Sequence, residues 1–388
     1  MTLAVLRVRR KRTRTLRRIT IAVVALALAL TGCARFDDSG SSPFSPEPSL
    51  GQDNQNPKKP DPTTTTPRKR PNLPCIDPDP RVVGTCLDTT GGIIGMPDGQ
   101  SALVAERRTG RIMQVTVGQQ ETGQLPVEVA RIAVDGSGDG GLLDLALSPN
   151  YQEDRLIYAY ITTPSDNRIV RFALDDSPKD VFTGIPKGST GNAGAIDFSD
   201  ANTMVVVTGD AGNPSAAADP ASLAGKLFSI TKPSTVAPTA PPKILLSGIG
   251  VAGDVCVESA TTIWVTDRTA TEDRLQKVTD GVPGATPAWT WPDRPGVAGC
   301  VALGTTVAVA MTNGKAVGFL TVDATTGAIT APPTLTVQNE FGQIGGLAAG
   351  PQGFLWAATV NKTAGEPGQF DDRVVLVPLP AGGGGGPD

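Results

Sequence analysis

The residues able to do chemistry fall into four groups, and histidine is in none of them, because the chain contains no histidine. Oxygen ligands gather in two glycine-rich stretches. "DGSGDGG" carries Asp135 and Asp139, and "TGDAGNP" with the Asp-Pro that follows carries Asp210, Asn213 and Asp219. Close Asp/Asn/Gly loops can offer oxygens to calcium, so Asp135, Asp139, Asp210 and Asp219 are the candidate metal ligands. EF-hand spacing is absent, and the same residue types are ordinary turn formers, which is the plainer reading. Asp144 and Asp197 form a second group. Each lies inside an apolar phrase, where a carboxylate needs hydrogen bonds or a partner to be tolerated. Arg107, Arg108 and Arg268 close apolar runs and are candidates for holding an anion, with ion pairing as the alternative. The last group is five cysteines, Cys33, Cys75, Cys86, Cys256 and Cys300. A zinc site is not expected from them, since no close CxxC pair or histidine accompanies them.

A Gly-then-apolar phrase must position most of these residues, because it returns six times. It reads "GGIIGM" from Gly91, "GDGGLLDLALSP" from Gly138, "GNAGAIDF" from Gly191, "AGDVCV" from Ala252, "AGCVAL" from Ala298 and "GGLAAG" from Gly345. A second apolar run follows each phrase ("ALVAER", "LIYAYI", "MVVVTGD", "IWVTDR", "VAVAMT", "LWAATV"), then a third after a turn, and often a fourth. Units of roughly 40–60 residues with four short strands each predict an all-β, six-bladed β-propeller. The Gly-apolar phrase is then the innermost strand, where small residues let backbones crowd around a central axis. Asp144 and Asp197 are expected to point into the central channel or pair with the next blade. Trp264 and Trp356 fall at matching points of second strands and are expected between blades. A pair of β-sandwiches explains the regular spacing less well.

The two ends of the sequence read differently. Eight of the 34 Lys and Arg residues lie between Arg7 and Arg18, and no acid precedes Asp37. Ile19 to Leu30 is an apolar run of 12 residues, too short for a comfortable membrane span and right for a signal-peptide core. It ends in "LTGC", which resembles the lipobox of bacterial lipoproteins and implies lipidation (diacylglyceryl, palmitate) at Cys33. Residues 1–32 are therefore expected to be a lipoprotein signal peptide. Residues 33–74, rich in Pro, Thr, Ser and charge, are expected to be a disordered tether. A leading segment follows over 75–90, the propeller over 91–380, and a disordered Gly-rich tail over 381–388. Without residues 1–32 the chain has 26 basic against 38 acidic residues, a poor balance for nucleic acid. Four cysteines in an exported chain suggest disulfides. Cys75–Cys86 are close in sequence, and Cys256–Cys300 sit on equivalent inner strands of adjacent repeats.

Two segments go beyond a generic propeller. "ALVAERRTGRI" with "GDGGLLDLALSPNYQEDRLIYAYIT", and "VVVTGDAGNPSAAADPASLAGKLFSI", are similar to blades of the glucose/sorbosone dehydrogenases, soluble quinoproteins that use pyrroloquinoline quinone (PQQ). With "GCARF" and "TVNKTAG", the whole chain resembles the LppZ-type lipoproteins of actinobacteria, a branch of that superfamily. The enzyme resemblance implies a catalytic histidine opening the blade-three phrase, arginines on the quinone carboxylates, and calcium on its carbonyl oxygens. Here Gly191 stands at the histidine position, and "SGIGVAGDV" places Gly250 or its neighbour where a clamping arginine belongs. PQQ and calcium are thus implied by the resemblance alone, and no cofactor is expected from the residues. The function expected is that of a lipid-anchored cell-envelope propeller that binds a glycan, small ligand or protein at its top and has lost the dehydrogenase machinery. The alternative is a divergent PQQ-dependent sugar dehydrogenase with Asp144 or Asp197 as a substitute base. A metal-dependent propeller hydrolase would need four converging ligands, and no obvious set is present.

Overall fold

The computed structural model describes residues 74–236 and 240–380. The signal peptide, Cys33, the tether before Pro74 and the tail over 381–388 lie outside the described residues. Among the described residues no helix is long and apolar enough to cross a membrane.

Six antiparallel sheets are arranged around one axis, and five are built in plain chain order from the channel outward. Blade 1 runs Thr90–Gly95, Ser101–Glu106, Arg111–Thr116 and Val127–Arg131. Blade 2 runs Leu142–Leu147, Ile157–Thr162, Asn167–Phe172 and Lys179–Ile185. Blade 3 uses Gly194–Asp200, Thr203–Thr208, Lys226–Thr231 and Lys243–Ser247. Blade 4 uses Ala252–Val257, Thr262–Arg268 and Asp273–Thr279, with two short outer pieces, Val282–Pro283 and Trp289–Trp291. Blade 5 uses Val297–Ala302, Thr306–Met311, Ala316–Thr321 and Thr334–Thr336. Blade 6 takes Ile344–Ala349, Phe354–Thr359 and Val374–Pro378 from the end of the chain. Its outermost strand, Val82–Gly84, comes from the leading segment.

Burial explains why the repeats read as they do. Second strands are sandwiched between neighbouring blades, so both faces need apolar residues; Ser101–Glu106 and Ile157–Thr162 are buried at every position. Outer strands face water, and Val127–Arg131 is correspondingly half polar and exposed. Trp264 and Trp356 are completely buried between blades, as their matching positions predict. The inner-strand glycines permit close approach. A Cβ on Gly92 would overlap Asp144 Oδ1 of the next blade, and one on Gly299 would come within 2.6 Å of Gly345 O and Leu347 N.

The ring closes by pairing Val82 with Val375 and Gly84 with Val374. Cys75 and Cys86 are disulfide-bonded around that strand. Closing so short a loop contributes roughly 3 kcal/mol in the chain-entropy picture. Leu87 and Asp372 exchange backbone hydrogen bonds (3.1 Å each), which holds the two chain ends of the ring together. Cys256 and Cys300 are bonded to each other across the inner strands of blades 4 and 5.

Candidate functional site

Each inner strand begins beside the end of its own second strand: Thr90 pairs with Glu106, Gly194 with Thr208, Ala252 with Arg268, and Ile344 with Thr359. The turns at these points therefore open at one mouth of the channel. Below it lies a cavity of about 890 Å³, reached by Arg107, Asp139, Gly191, Arg268, Asn313 and Gln343.

The channel wall carries three carboxylates on successive blades. Asp144 Oδ2 accepts a hydrogen bond from Ile196 N of blade 3 (2.8 Å). Asp197 accepts from Phe198 N (2.7 Å) and from Val257 N of blade 4. Asp254 Oδ2 accepts from Cys300 N of blade 5 (2.8 Å). One device is thus used three times: a carboxylate satisfies the backbone N–H of the next inner strand, which has no ladder partner on that side. Both expectations for Asp144 and Asp197 are met, since they line the channel and bond to the neighbouring blade. Asp254 belongs to the same set and was not singled out from the sequence. The signal was present, because "AGDVCV" places its aspartate as "GLLDLA" does.

Burial pushes all three carboxyls upward. For Asp144 it acts together with the charge of Asp254, against the N–H groups of Ile196 and Leu145, and holds the group well above the usual carboxylate range. Asp197 rises to about 6 through burial, against hydrogen bonds from Phe198 and Val257. Asp254 is raised by burial and by Asp197. Asp197, raised to about 6, can exchange a proton near neutral pH.

Two arginines, Arg107 and Arg268, stand at the mouth near Asp139. Arg107 donates through one Nη to the carbonyls of Gly138 and Gly140. Burial lowers its pKa, and neighbouring Arg108 lowers it further. Arg268 makes no ion pair, and its Nε is buried without a hydrogen-bond partner among the described residues. Its charge too is disfavoured by burial, only partly offset by Asp273 and Asp139 at longer range. Of the three arginines, Arg108 alone forms the rim ion pair considered from sequence, to Asp88 at 2.8 Å.

The expected calcium ligands do not converge. Asp135 pairs with Lys187 (2.6 Å) and accepts from Ser137. Asp139 accepts from Gly191 N (2.6 Å) and from the Asn192 side chain (2.7 Å). Asp210 accepts from Gly212 N (2.8 Å), and Asp219 from Ala221 N (2.9 Å). Asn213 caps the short helix Pro214–Ala218. These are loop-forming bonds, which local Asp and Asn side chains make readily. Among the described residues, the one cluster of three potential Cys/Asp/Glu ligands is Asp254, Cys256 and Cys300.

Gly191 and Gly250 are closed to side chains. Gly191 has φ +71°, and a Cβ there would overlap Asp210 Oδ1 and lie 2.7 Å from Gly212 N. A Cβ on Gly250 would overlap Arg268 O. The neighbouring Val251 is the residue that reaches the cavity. The arginines supply positive charge for an anion, but no side chain stands where the base or this clamp would act. The quinone-and-base arrangement implied by the resemblance does not fit these residues.

Comparison with known proteins agrees with the blade count and the motifs. Residues 87–244 match the family model "Glucose / Sorbosone dehydrogenase". The PQQ-bound aldose sugar dehydrogenase from Streptomyces coelicolor superposes with a TM-score of 0.68 at 26% identity, covering 77% of this chain and 96% of that one. The apo form of the soluble aldose sugar dehydrogenase from Escherichia coli gives 0.60 at 18% identity, covering 77% and 99%. No curated protein matches the chain. The match to the family model spans blades 1 to 3 of the six-bladed propeller.

Proposed function

We propose that this glucose/sorbosone dehydrogenase-like propeller is a binding protein of the cell envelope that holds an anionic ligand at the channel mouth, between Arg107 and Arg268. One observation carries the reading: Arg268 lines the cavity as a largely desolvated guanidinium, and its Nε is buried without a hydrogen-bond partner among the described residues. A buried donor left unsatisfied costs about 1–3 kcal/mol, which an incoming carboxylate or phosphate recovers through charge-assisted hydrogen bonds. The ligand class is an acidic glycan, a small polyacid or an acidic protein side chain. In this reading the protein is exported and tethered through lipidated Cys33, with the propeller mouth presented to its ligand.

A second reading is favoured by the likeness to the PQQ-bound Streptomyces enzyme. There the channel carboxyls of Asp144 or Asp197 would replace the missing base for sugar oxidation, with PQQ and calcium as cofactors. Against it stand the closed Gly191 and Gly250 positions.

Thermal shift and titration calorimetry with citrate, inorganic phosphate, PQQ and uncharged glucose test the binding reading. Citrate or phosphate is expected to stabilise the protein, and Arg268→Gln is expected to remove the effect while leaving the unliganded melting temperature within a few degrees. Stabilisation by uncharged glucose alone, or anion binding unchanged in Arg268→Gln, refutes the assignment.

A further inference from the structure

We infer that the Cys256–Cys300 seam is a redox-gated metal site, in which reduction of the disulfide releases two thiolates that join Asp254 in binding a divalent thiophilic ion such as Zn²⁺. Asp254 and Cys256 are two residues apart on the inner strand of blade 4 and so share a face of the sheet. Cys300 lies on the adjoining inner strand, its N–H already bonded to the Asp254 carboxylate (2.8 Å). One ligand atom from each of the three lies within 4.8 Å of the other two. The paired cysteines have Cα atoms 5.8 Å apart. Two sulfurs bound to one zinc at about 2.3 Å in tetrahedral geometry stand roughly 3.8 Å apart, a separation this backbone spacing accommodates.

The surroundings suit a closed structural seam on one side and an accessible site on the other. Trp264, Leu275, Trp291 and Val297 cover the cysteines from the blade side. Asp254, Cys256 and Cys300 also line the channel cavity, the cysteines 4% and 5% exposed, so the channel is the side from which a small dithiol or a water ligand would reach them. Two sulfurs, one carboxylate oxygen and an open position resemble zinc sites with three protein ligands rather than calcium sites, which take only oxygen.

The chemistry balances with an external dithiol as reductant. One thiolate of the dithiol attacks a sulfur of the Cys256–Cys300 bond, forming a mixed disulfide and expelling the other cysteine as thiolate. The second dithiol sulfur then resolves it, so two electrons and two protons pass to the cysteines and the dithiol departs as its own disulfide. Metal binding displaces both thiol protons, leaving two thiolates and the Asp254 carboxylate around the ion. Exchange with an external disulfide, which takes up the two electrons and leaves as dithiol, re-forms the Cys256–Cys300 bond and releases the metal. The inference stands apart from the anion-binding reading, since it uses neither arginine.

The test is cobalt titration of the full chain, oxidised or reduced with a dithiol that is then removed under anaerobic conditions. The reduced protein is expected to bind one equivalent of Co²⁺ with thiolate-to-metal charge-transfer absorption and the intense visible bands of a four-coordinate ion. The oxidised protein should show neither, and both samples carry Cys33→Ser so that the fifth cysteine contributes no thiolate. A Cys75→Ser/Cys86→Ser variant should keep the signal. Asp254→Asn retains both cysteines and nearly the same shape, and should weaken cobalt binding at least tenfold. The proposal is overturned if reduced protein shows no charge-transfer band, if the band follows Cys75 and Cys86, or if Asp254→Asn binds cobalt as tightly as the parent.

Discussion

The Asp139 carboxylate accepts a hydrogen bond from the backbone N–H of Gly191 at 2.6 Å, joining the loop before blade 2 to the loop before blade 3. The bond holds Gly191 at a positive φ with Asp210 packed against its α-carbon. The position that resemblance assigns to a catalytic histidine is therefore occupied by a loop–loop tie. Supplied with calcium, PQQ and an artificial electron acceptor, the purified protein is expected to oxidise no aldose. Gly191→His should gain no activity and should lower the melting temperature, because its side chain must displace Asp210. Sugar oxidation by the parent that disappears in Asp144→Asn or Asp197→Asn would instead establish the dehydrogenase reading.

Gly92 faces Asp144 across the seam between blades 1 and 2 with no room for a methyl group. Gly92→Ala should destabilise the propeller by roughly 1–3 kcal/mol, the usual cost of overpacking. Gly99, whose absent Cβ would meet nothing within 4 Å, has φ +65° and so is a poor control. Equilibrium denaturation of Gly92→Ala showing no loss would mean that the inner strands are farther apart than described.

Asp197 links stability to pH in a defined direction. Its folded pKa of about 6 lies above the unfolded carboxyl value, so the native state binds the proton more tightly. The ionised group thus lowers stability above pH 6, and that loss is recovered as pH falls from 6 toward 4. Asp197→Asn should be more stable than the parent at pH 7.5, by on the order of 1–3 kcal/mol, and should lose its advantage at pH 4. Melting curves of the two proteins at both pH values check the sign; a variant less stable at pH 7.5 would show that the hydrogen bonds from Phe198 and Val257 outweigh the buried charge.

Lys226 is wholly buried, and its ammonium donates to the carbonyls of Ala216 (3.1 Å), Ala217 (2.6 Å) and Ala224 (2.9 Å). It closes the loop after the second strand of blade 3 onto the strand that follows. Lys226→Met removes all three bonds; Ala216 O and Ala217 O keep the backbone donors Asp219 N and Gly248 N, so Ala224 O is the carbonyl that loses its donor, at a cost of about 1–3 kcal/mol. Proteolysis should then cut first within 209–225; an unchanged cleavage pattern would remove Lys226 from this role.

Anchoring should depend on Cys33. Cys33→Ser is expected to release the protein from the membrane fraction, because each buried CH₂ of a lipid anchor contributes about 0.8 kcal/mol to partition. Equal membrane retention would identify Ile19 to Leu30 as the anchor instead.

The sequence by itself determined the blade count, the channel-lining strands and the pairing of the cysteines. Each of these follows from a local pattern that every repeat must satisfy. Inner strands need glycine because six backbones converge, second strands need unbroken apolar runs because both faces are covered, and equivalent positions in adjacent repeats become neighbours in space. Tertiary structure alone decided which polar residues meet. Asp135, Asp139, Asp210 and Asp219 look alike in sequence as oxygen donors, and only the folded loops show each bonded to a local or neighbouring donor. Arg107, Arg108 and Arg268 likewise close similar strands, yet Arg108 reaches Asp88 while the buried Nε of Arg268 has no partner among the described residues. The inter-blade hydrogen bond of Asp254 and its approach to Cys256 and Cys300 depend on the register between blades 4 and 5. Periodicity along the chain reports which face a residue takes, while the distance across a seam is set by how neighbouring blades pack.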